Sequence, residues 1–174
     1  ADILRSRNIK VDNNAFETEM EKSKALARAN WRGSGDKSVE KKWLKVREEL
    51  NPTEFLGYEF YKAEGVILKI SKKDEFVEQV NENDEVEIIT NQTPFYAESG
   101  GQVGDQGTIK TSDCIIKVTD TQKKMGDLHV HIGKVVKGSV RLKENIFLEI
   151  DKKKRNDAMA YHSATHLLHE ALRR

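Results

Sequence analysis

Near its C-terminal end the chain carries Tyr161-His162-Ser163-Ala164-Thr165-His166-Leu167-Leu168-His169. At about 100° per residue of helix, His162 and His166 leave the same side one turn apart, within reach of a single metal ion, and His169 follows on nearly the same line. An apolar stripe of Tyr161, Leu168 and Leu172 runs beside them, with Thr165 between the two. The spacing therefore predicts a helix that holds two imidazoles at the edge of its own buried face. Two ligands do not complete a site, because zinc takes four protein ligands in structural sites and three plus water in catalytic ones. Histidines on a solvated helix face remain the simpler reading of the same spacing. A metalloprotease of the HExxH type is excluded, since Ser163 stands where the general-base Glu belongs.

A second stretch with chemical content runs from Thr93 to Gly107, with glycines at 100, 101, 104 and 107. Glycines so spaced let a backbone adopt positive φ and approach a ligand closely. The segment lacks the lysine of a GxxxxGK[ST] loop and opens no helix, which excludes both common nucleotide-binding loops. Tight turns and bulges between strands would use the same residues.

These residues need a scaffold, and the hydrophobic pattern supplies one. The first 50 residues read as helical. Asn13 and Asn14 stand at an N-cap, Glu17, Glu19 and Glu21 load the first turns, and Phe16, Met20, Ala27 and Trp31 share a face. Gly33-Ser34-Gly35-Asp36 breaks that helix. A second begins near Ser38, with Val39, Trp43, Val46 and Leu50 on one face, and Asn51-Pro52 ends it. From Phe55 the period changes to alternation. Strands are expected at Leu56 to Tyr61, Gly65 to Ile70, Phe76 to Val80, Val86 to Thr90, Cys114 to Thr119, Leu128 to Ile132 and Ile146 to Ile150. Seven short strands without intervening helices imply an antiparallel barrel or sandwich. After Ile150 the pattern is helical to the last residue, so the fold class is α+β with divisions at 1–52, 53–150 and 151–174.

The single cysteine, Cys114, excludes a disulfide framework, and no apolar run approaches a membrane span or a signal-peptide core, so a cytoplasmic location is expected. The formal net charge of +1 hides a pattern. Residues 1–50 carry 12 basic against 9 acidic groups, residues 51–110 carry 5 against 12, and residues 111–174 carry 13 against 8. A polyanion would approach the two basic ends.

Taken in order, VDNNAFETEMEKSKALARANW (Val11 to Trp31), FYAESGGQVGDQG (Phe95 to Gly107) and HSATHLLHEALR (His162 to Arg173) resemble the alanyl-tRNA synthetases, the first at the end of their tRNA-recognition region and the others at the opening of their editing domain. The resemblance implies N-terminal helices, a small translation-factor-like β-barrel and the first helix of a zinc-dependent editing lobe that hydrolyses mischarged Ser-tRNA(Ala) and Gly-tRNA(Ala). It implies His162 and His166 as two zinc ligands, completed by Cys and His of a later CxxxH motif, and Thr165 as the group that senses the serine hydroxyl. Gly100, Gly101 and Gln102 become candidates for contact with the acylated end of tRNA(Ala). ATP and Mg2+ would serve an adenylating core that precedes Ala1. The first residues lack an initiator Met and the last helix has no stop signal, so the chain is expected to be part of a longer protein. Alone, it is expected neither to charge nor to deacylate tRNA, to hold zinc weakly, and to self-associate through its last helix. A stand-alone trans-editing deacylase and a non-catalytic RNA-binding barrel are the alternatives. His129 and His131 share a face of one strand and are expected to be exposed; Cys114 is expected to be buried packing rather than a nucleophile.

Overall fold

The computed structural model describes Lys22, residues 37–99 and residues 101–173. Apart from Lys22, the first expected helix and the Gly33–Asp36 break lie outside the described residues, as does Gly100. Two compact units divide the chain at Ser38/Val39, and the account below concerns the second.

Helix α1 spans Lys37–Glu49, and eleven strands follow among the described residues: β1 Glu54–Phe55, β2 Lys62–Lys72, β3 Glu75–Phe76, β4 Gln79–Asn81, β5 Glu85–Thr90, β6 Gln92–Thr93, β7 Gly107–Lys110, β8 Ile115–Lys124, β9 Leu128–Lys137, β10 Ser139–Arg141 and β11 Asn145–Ile150. Helix α2, Lys152–Leu172, completes the order. Strands β2, β5, β9, β8, β7 and β11 pair antiparallel in that sequence, and β11 pairs back onto β2, so the sheet closes into a six-stranded barrel with no free edge along that circuit. The α+β class and the small antiparallel barrel are as expected.

Alternating β-branched residues fill the interior. Ile67, Ile88, Ile109, Ile116 and Leu148 are among the residues fully withdrawn from water there. Strands β5 and β9 are covered on their outer face as well. Trp43 and Val46 of α1 pack on Ile89, Leu128 and Val130, with Leu50 partly buried against them, so three of the four spaced positions read from the sequence form this contact. Lys42 donates to Ser71 Oγ at 2.6 Å and to Glu87 Oε2 at 2.8 Å, and Arg47 holds Asp127 at 2.8 Å, which ties the middle and the last turn of α1 to the barrel beneath.

Four expectations are corrected. Residues Leu56 to Tyr61 form no strand: Glu59 and Phe60 N–H both donate to Leu56 O, at 3.2 and 3.0 Å, and the chain turns instead. The expected strand Phe76 to Val80 divides into β3 and β4, while β6, β7 and β10 are additional strands of two to four residues, too short to show a period. His129 and His131 are 5% and 1% exposed, because the face of β9 that they share turns toward Phe55 and Phe95. Finally, Tyr161, Leu168 and Leu172 are exposed, since among the described residues nothing packs over that stripe.

Candidate functional site

The glycine-rich segment is held at both ends by its own polar groups. Tyr96 N–H donates to Asp105 Oδ2 at 2.7 Å and Asp105 N–H returns to Tyr96 O at 2.9 Å. Glu98 N–H donates to Thr121 O at 2.8 Å, and Thr121 Oγ1 donates to Asp105 O at 2.9 Å, fastening the segment along β8. At its tip Ser99 and Gln102 exchange backbone hydrogen bonds, and Gly101 sits at φ 83°, a left-handed conformation that side chains resist. Gly104 has a different reason for its type: a Cβ there would overlap Thr121 O.

Arg155, in the first turn of α2, joins this segment to the helix. Its side chain is 7% exposed and pairs with Asp105, itself 5% exposed; Nε donates to Oδ1 at 2.8 Å and to Oδ2 at 2.9 Å, and Nη2 also contacts Oδ2. The remaining donors go to Gly57 O at 2.8 Å and Pro94 O at 2.9 Å. One guanidinium thus fixes the turn after β1, the entrance of the glycine-rich segment and its exit. Asp151 caps α2 by accepting from Lys154 N–H at 3.1 Å, while its own N–H donates to Gln106 O at 2.7 Å. The sequence offered little sign of this anchor, because an arginine closing a Lys-Lys-Lys run resembles a solvated charge. The informative signal would have been the glycine-flanked Asp105, an acid in a segment otherwise free of charge from Ser99 to Ile109.

So positioned, α2 faces the tip of the segment. Gly101, Gln102 and Val103 on one side and Ala158, Tyr161, His162, Thr165 and His166 on the other line one cavity of about 370 Å³. His162, His166, Thr165, Gly101 and Gln102, singled out separately in the sequence, therefore meet; Gly100 lies outside the described residues. His162 Nε2 and His166 Nε2 are 3.1 Å apart. Two nitrogens on a tetrahedral zinc, each about 2.0–2.1 Å from the metal, stand roughly 3.3 Å apart, so the separation of the pair is close to the bite the ion requires. The same spacing suits a hydrogen bond in which one Nε2–H donates to the other. Among the described residues no group of three His, Cys, Asp or Glu could hold a metal. Thr165 Oγ1 donates to Tyr161 O at 2.9 Å, which commits its proton and leaves its lone pairs as acceptors.

The two buried imidazoles of β9 are structural. His131 Nδ1 lies 3.0 Å from Ile88 O, which can only accept, and Nε2 lies 2.8 Å from Thr93 Oγ1. Thr93 Oγ1 accepts from Phe95 N–H at 3.1 Å and so gives its own proton to Nε2, fixing the Nδ1–H tautomer. Burial holds His131 down at about 4, against the raising effect of its bond to Ile88 O; burial and then the Lys123 charge hold His129, stacked on Phe55, at about 4. Cys114 is buried as expected, and desolvation, then the Glu144 carboxylate, push its thiol up to about 11, which leaves it without thiolate character near neutrality.

Residues 1–154 match the sequence profile of tRNA synthetases class II (A). The chain belongs to the class II tRNA synthetase family that this profile defines. Within it, alanine–tRNA ligases of Chelativorans sp., Parvibaculum lavamentivorans and Bradyrhizobium diazoefficiens are 50%, 48% and 49% identical to it over 99% of its length, which bears out the resemblance drawn from the two motifs and the Val11 to Trp31 stretch. The chain spans about a fifth of the length of these relatives, 19–20% of each. No helix among the described residues is long and apolar enough to cross a membrane.

Proposed function

We propose that the barrel and α2 form the opening part of an editing domain in an alanine–tRNA ligase, where ester hydrolysis removes serine or glycine from tRNA(Ala). The supporting observation is the pair of imidazoles at 3.1 Å facing the Gly101–Val103 tip across one cavity, in a chain about half identical to alanine–tRNA ligases. His162 and His166 would hold zinc together with a thiolate and a further imidazole from a later CxxxH motif of the ligase; when bound, the ion supplies a Lewis acid beside the scissile ester. Gly101 and Gln102 would approach the acylated ribose, Gly101 because it has no side chain to keep a ligand off the backbone and Gln102 through its side-chain amide, since its N–H is given to Ser99 O. Elsewhere in the whole enzyme, ATP and Mg2+ serve the charging reaction.

Selectivity rests on Thr165. A pocket built for alanine rejects serine, with one added hydroxyl, only weakly, so a second site must recognise the wrong product. Thr165 Oγ1 has given its proton to Tyr161 O, so it can accept from a serine hydroxyl, and an alanine methyl offers it nothing. In the full-length ligase, His162→Ala with His166→Ala should remove one zinc per chain and abolish Ser-tRNA(Ala) hydrolysis while alanylation continues. Thr165→Val should impair clearance of Ser-tRNA(Ala) more than alanylation. Hydrolysis that survives loss of the zinc, or unchanged serine misincorporation by the Val variant, would refute the assignment. With two ligands of its own, the 174-residue chain alone should neither charge nor deacylate tRNA.

A further inference from the structure

The turn between β1 and β2 exposes three aromatic rings that the cavity above does not use. Tyr58 is 88% exposed, Phe60 53% and Tyr61 40%. Rings of this size in a small domain normally enter a core, and here the core excludes them while the backbone that carries them is held rigidly. Gly57 O accepts from Arg155, Tyr61 O accepts from Ile150 N–H at 3.0 Å, and Leu56 O closes the turn. A contact path connects the turn to the cavity: Tyr58 meets Phe55 edge-on at 4.9 Å, Phe55 meets Tyr96 at 6.1 Å, and Tyr96 Oη donates to Ser99 O at the tip of the glycine-rich segment.

A cation stands beside one of these rings, in a place that helix energetics disfavours. The first turn of α2 contains Lys152, Lys153, Lys154 and Arg155 and no acid, although the positive end of the helix dipole favours carboxylates there. Arg155 is consumed by Asp105 and Lys154 bonds Gln106, but Lys152 and Lys153 are exposed, and Lys152 Nζ lies 4.8 Å above the Tyr61 ring. Basic residues kept where they weaken a helix, next to exposed aromatic faces, fit a ligand that offers both phosphate and flat rings.

We propose that Tyr58, Phe60 and Tyr61 with Lys152 and Lys153 form a stacking platform for single-stranded RNA, and specifically for the unpaired 3′ segment that leads an acylated nucleotide into the His162/His166 cavity. The choice of this RNA rests on the editing assignment above. From Lys152 to His162 is ten residues, or about 15 Å along α2. Stacked nucleotides advance about 3.4 Å each, so roughly four unpaired bases cover that distance. Duplex RNA shows no ring faces along its length and would gain only the lysine contacts.

The test uses the intact chain and a single-stranded RNA tetranucleotide containing 2-aminopurine, whose fluorescence is quenched on stacking. Saturable quenching is expected, with binding weakened about 5- to 150-fold by Tyr58→Ala or Tyr61→Ala. Tyr58→Phe and Tyr61→Phe should retain it, because the ring rather than the hydroxyl stacks. Lys152→Gln should lower the magnitude of the salt-dependence slope by about 0.7. Circular dichroism of each variant separates loss of the platform from loss of the fold. Quenching reads RNA stacking without zinc or ester hydrolysis, so zinc or hydrolysis results that refute the editing assignment would leave this measurement standing. The platform is overturned if the alanine variants bind as tightly as the unaltered chain, if duplex RNA competes equally, or if those variants change only the sedimentation of the protein, which would mark a protein interface.

Discussion

Replacing Arg155 with Ala removes one side chain and strands three partners. Asp105 would be left as a carboxylate 5% exposed with no cation, and the carbonyls of Gly57 and Pro94 would each lose a donor. Breaking a buried pair from one side typically costs about 3–5 kcal/mol, because the charge left behind has neither water nor a partner. The orphaned carbonyls act in the same direction without adding in full. Against a total of roughly 5–15 kcal/mol for a domain, that is a large fraction. At about 2–4 °C per kcal/mol for a chain of this size, the melting temperature should fall by roughly 6–20 °C. Urea unfolding followed by circular dichroism measures the loss directly, and Arg155→Lys, which keeps the charge but not the fork, should recover only part of it. The double variant Arg155→Ala/Asp105→Ala should cost much less than the sum of the single changes, since neither charge then remains buried alone. A loss below about 1 kcal/mol, or strict additivity, would refute Arg155 as the tie between the glycine-rich segment and α2.

Stability should also fall between pH about 6.5 and 4. His129 and His131 are held at about 4 in the folded chain, so as pH drops the unfolded chain takes up protons first, at a slope of up to about 1.4 kcal/mol per pH unit for each imidazole; a His129→Gln/His131→Gln variant should flatten that dependence in urea titrations. Gly104→Ala should displace the segment from Thr121 O, visible as faster amide exchange at residues 98–105 while the far strands β2 and β5 keep their protection. Cys114 should resist thiol reagents near neutral pH in the folded chain and react at once in urea; rapid labelling without denaturant would contradict its burial.

The strands β5 and β11 were legible because apolar residues recur with period two at Val86 and Ile88 and at Ile146, Leu148 and Ile150, where a single register satisfies both the pleat and the core; in β2 the Val66-Ile67-Leu68 run carried the signal, since a bulge between Ile67 and Lys69 breaks the alternation. Strands of two to four residues carry no period, which is why β6, β7 and β10 escaped. The Leu56–Tyr61 error has a different origin. Aromatic residues signal strands because strands bury them, and here they are held out in water by a turn that Arg155 secures through Gly57. His129 and His131 were misread for the complementary reason. A polar residue alternating with Leu128 and Val130 normally marks the solvent face of a half-buried strand. On β9 the Leu128/Val130 face is taken by Trp43 and Val46 of α1, so the histidine face falls inside against Phe55 and Phe95. No window of local sequence contains that fact, because the covering helix lies some 80 residues earlier in the chain.

The candidate site was legible as residue types but not as a place. His162 and His166 needed only helical periodicity to be paired. Their meeting with Gly101 and Gln102, some 60 residues away, depends on Arg155, whose role emerges only when Asp105, Gly57 and Pro94 are brought together in space. Rigidity there has a functional consequence. If Thr165 senses a hydroxyl as proposed, it discriminates by the geometry of one hydrogen bond, and a displacement of an ångström between helix and loop would erase that difference. If the Arg155–Asp105 pair sets the geometry, then in the full-length ligase Asp105→Asn should lower discrimination between Ser-tRNA(Ala) and Ala-tRNA(Ala) while zinc occupancy at His162 and His166 stays unchanged. Equal loss of both would instead mean that the pair serves folding alone.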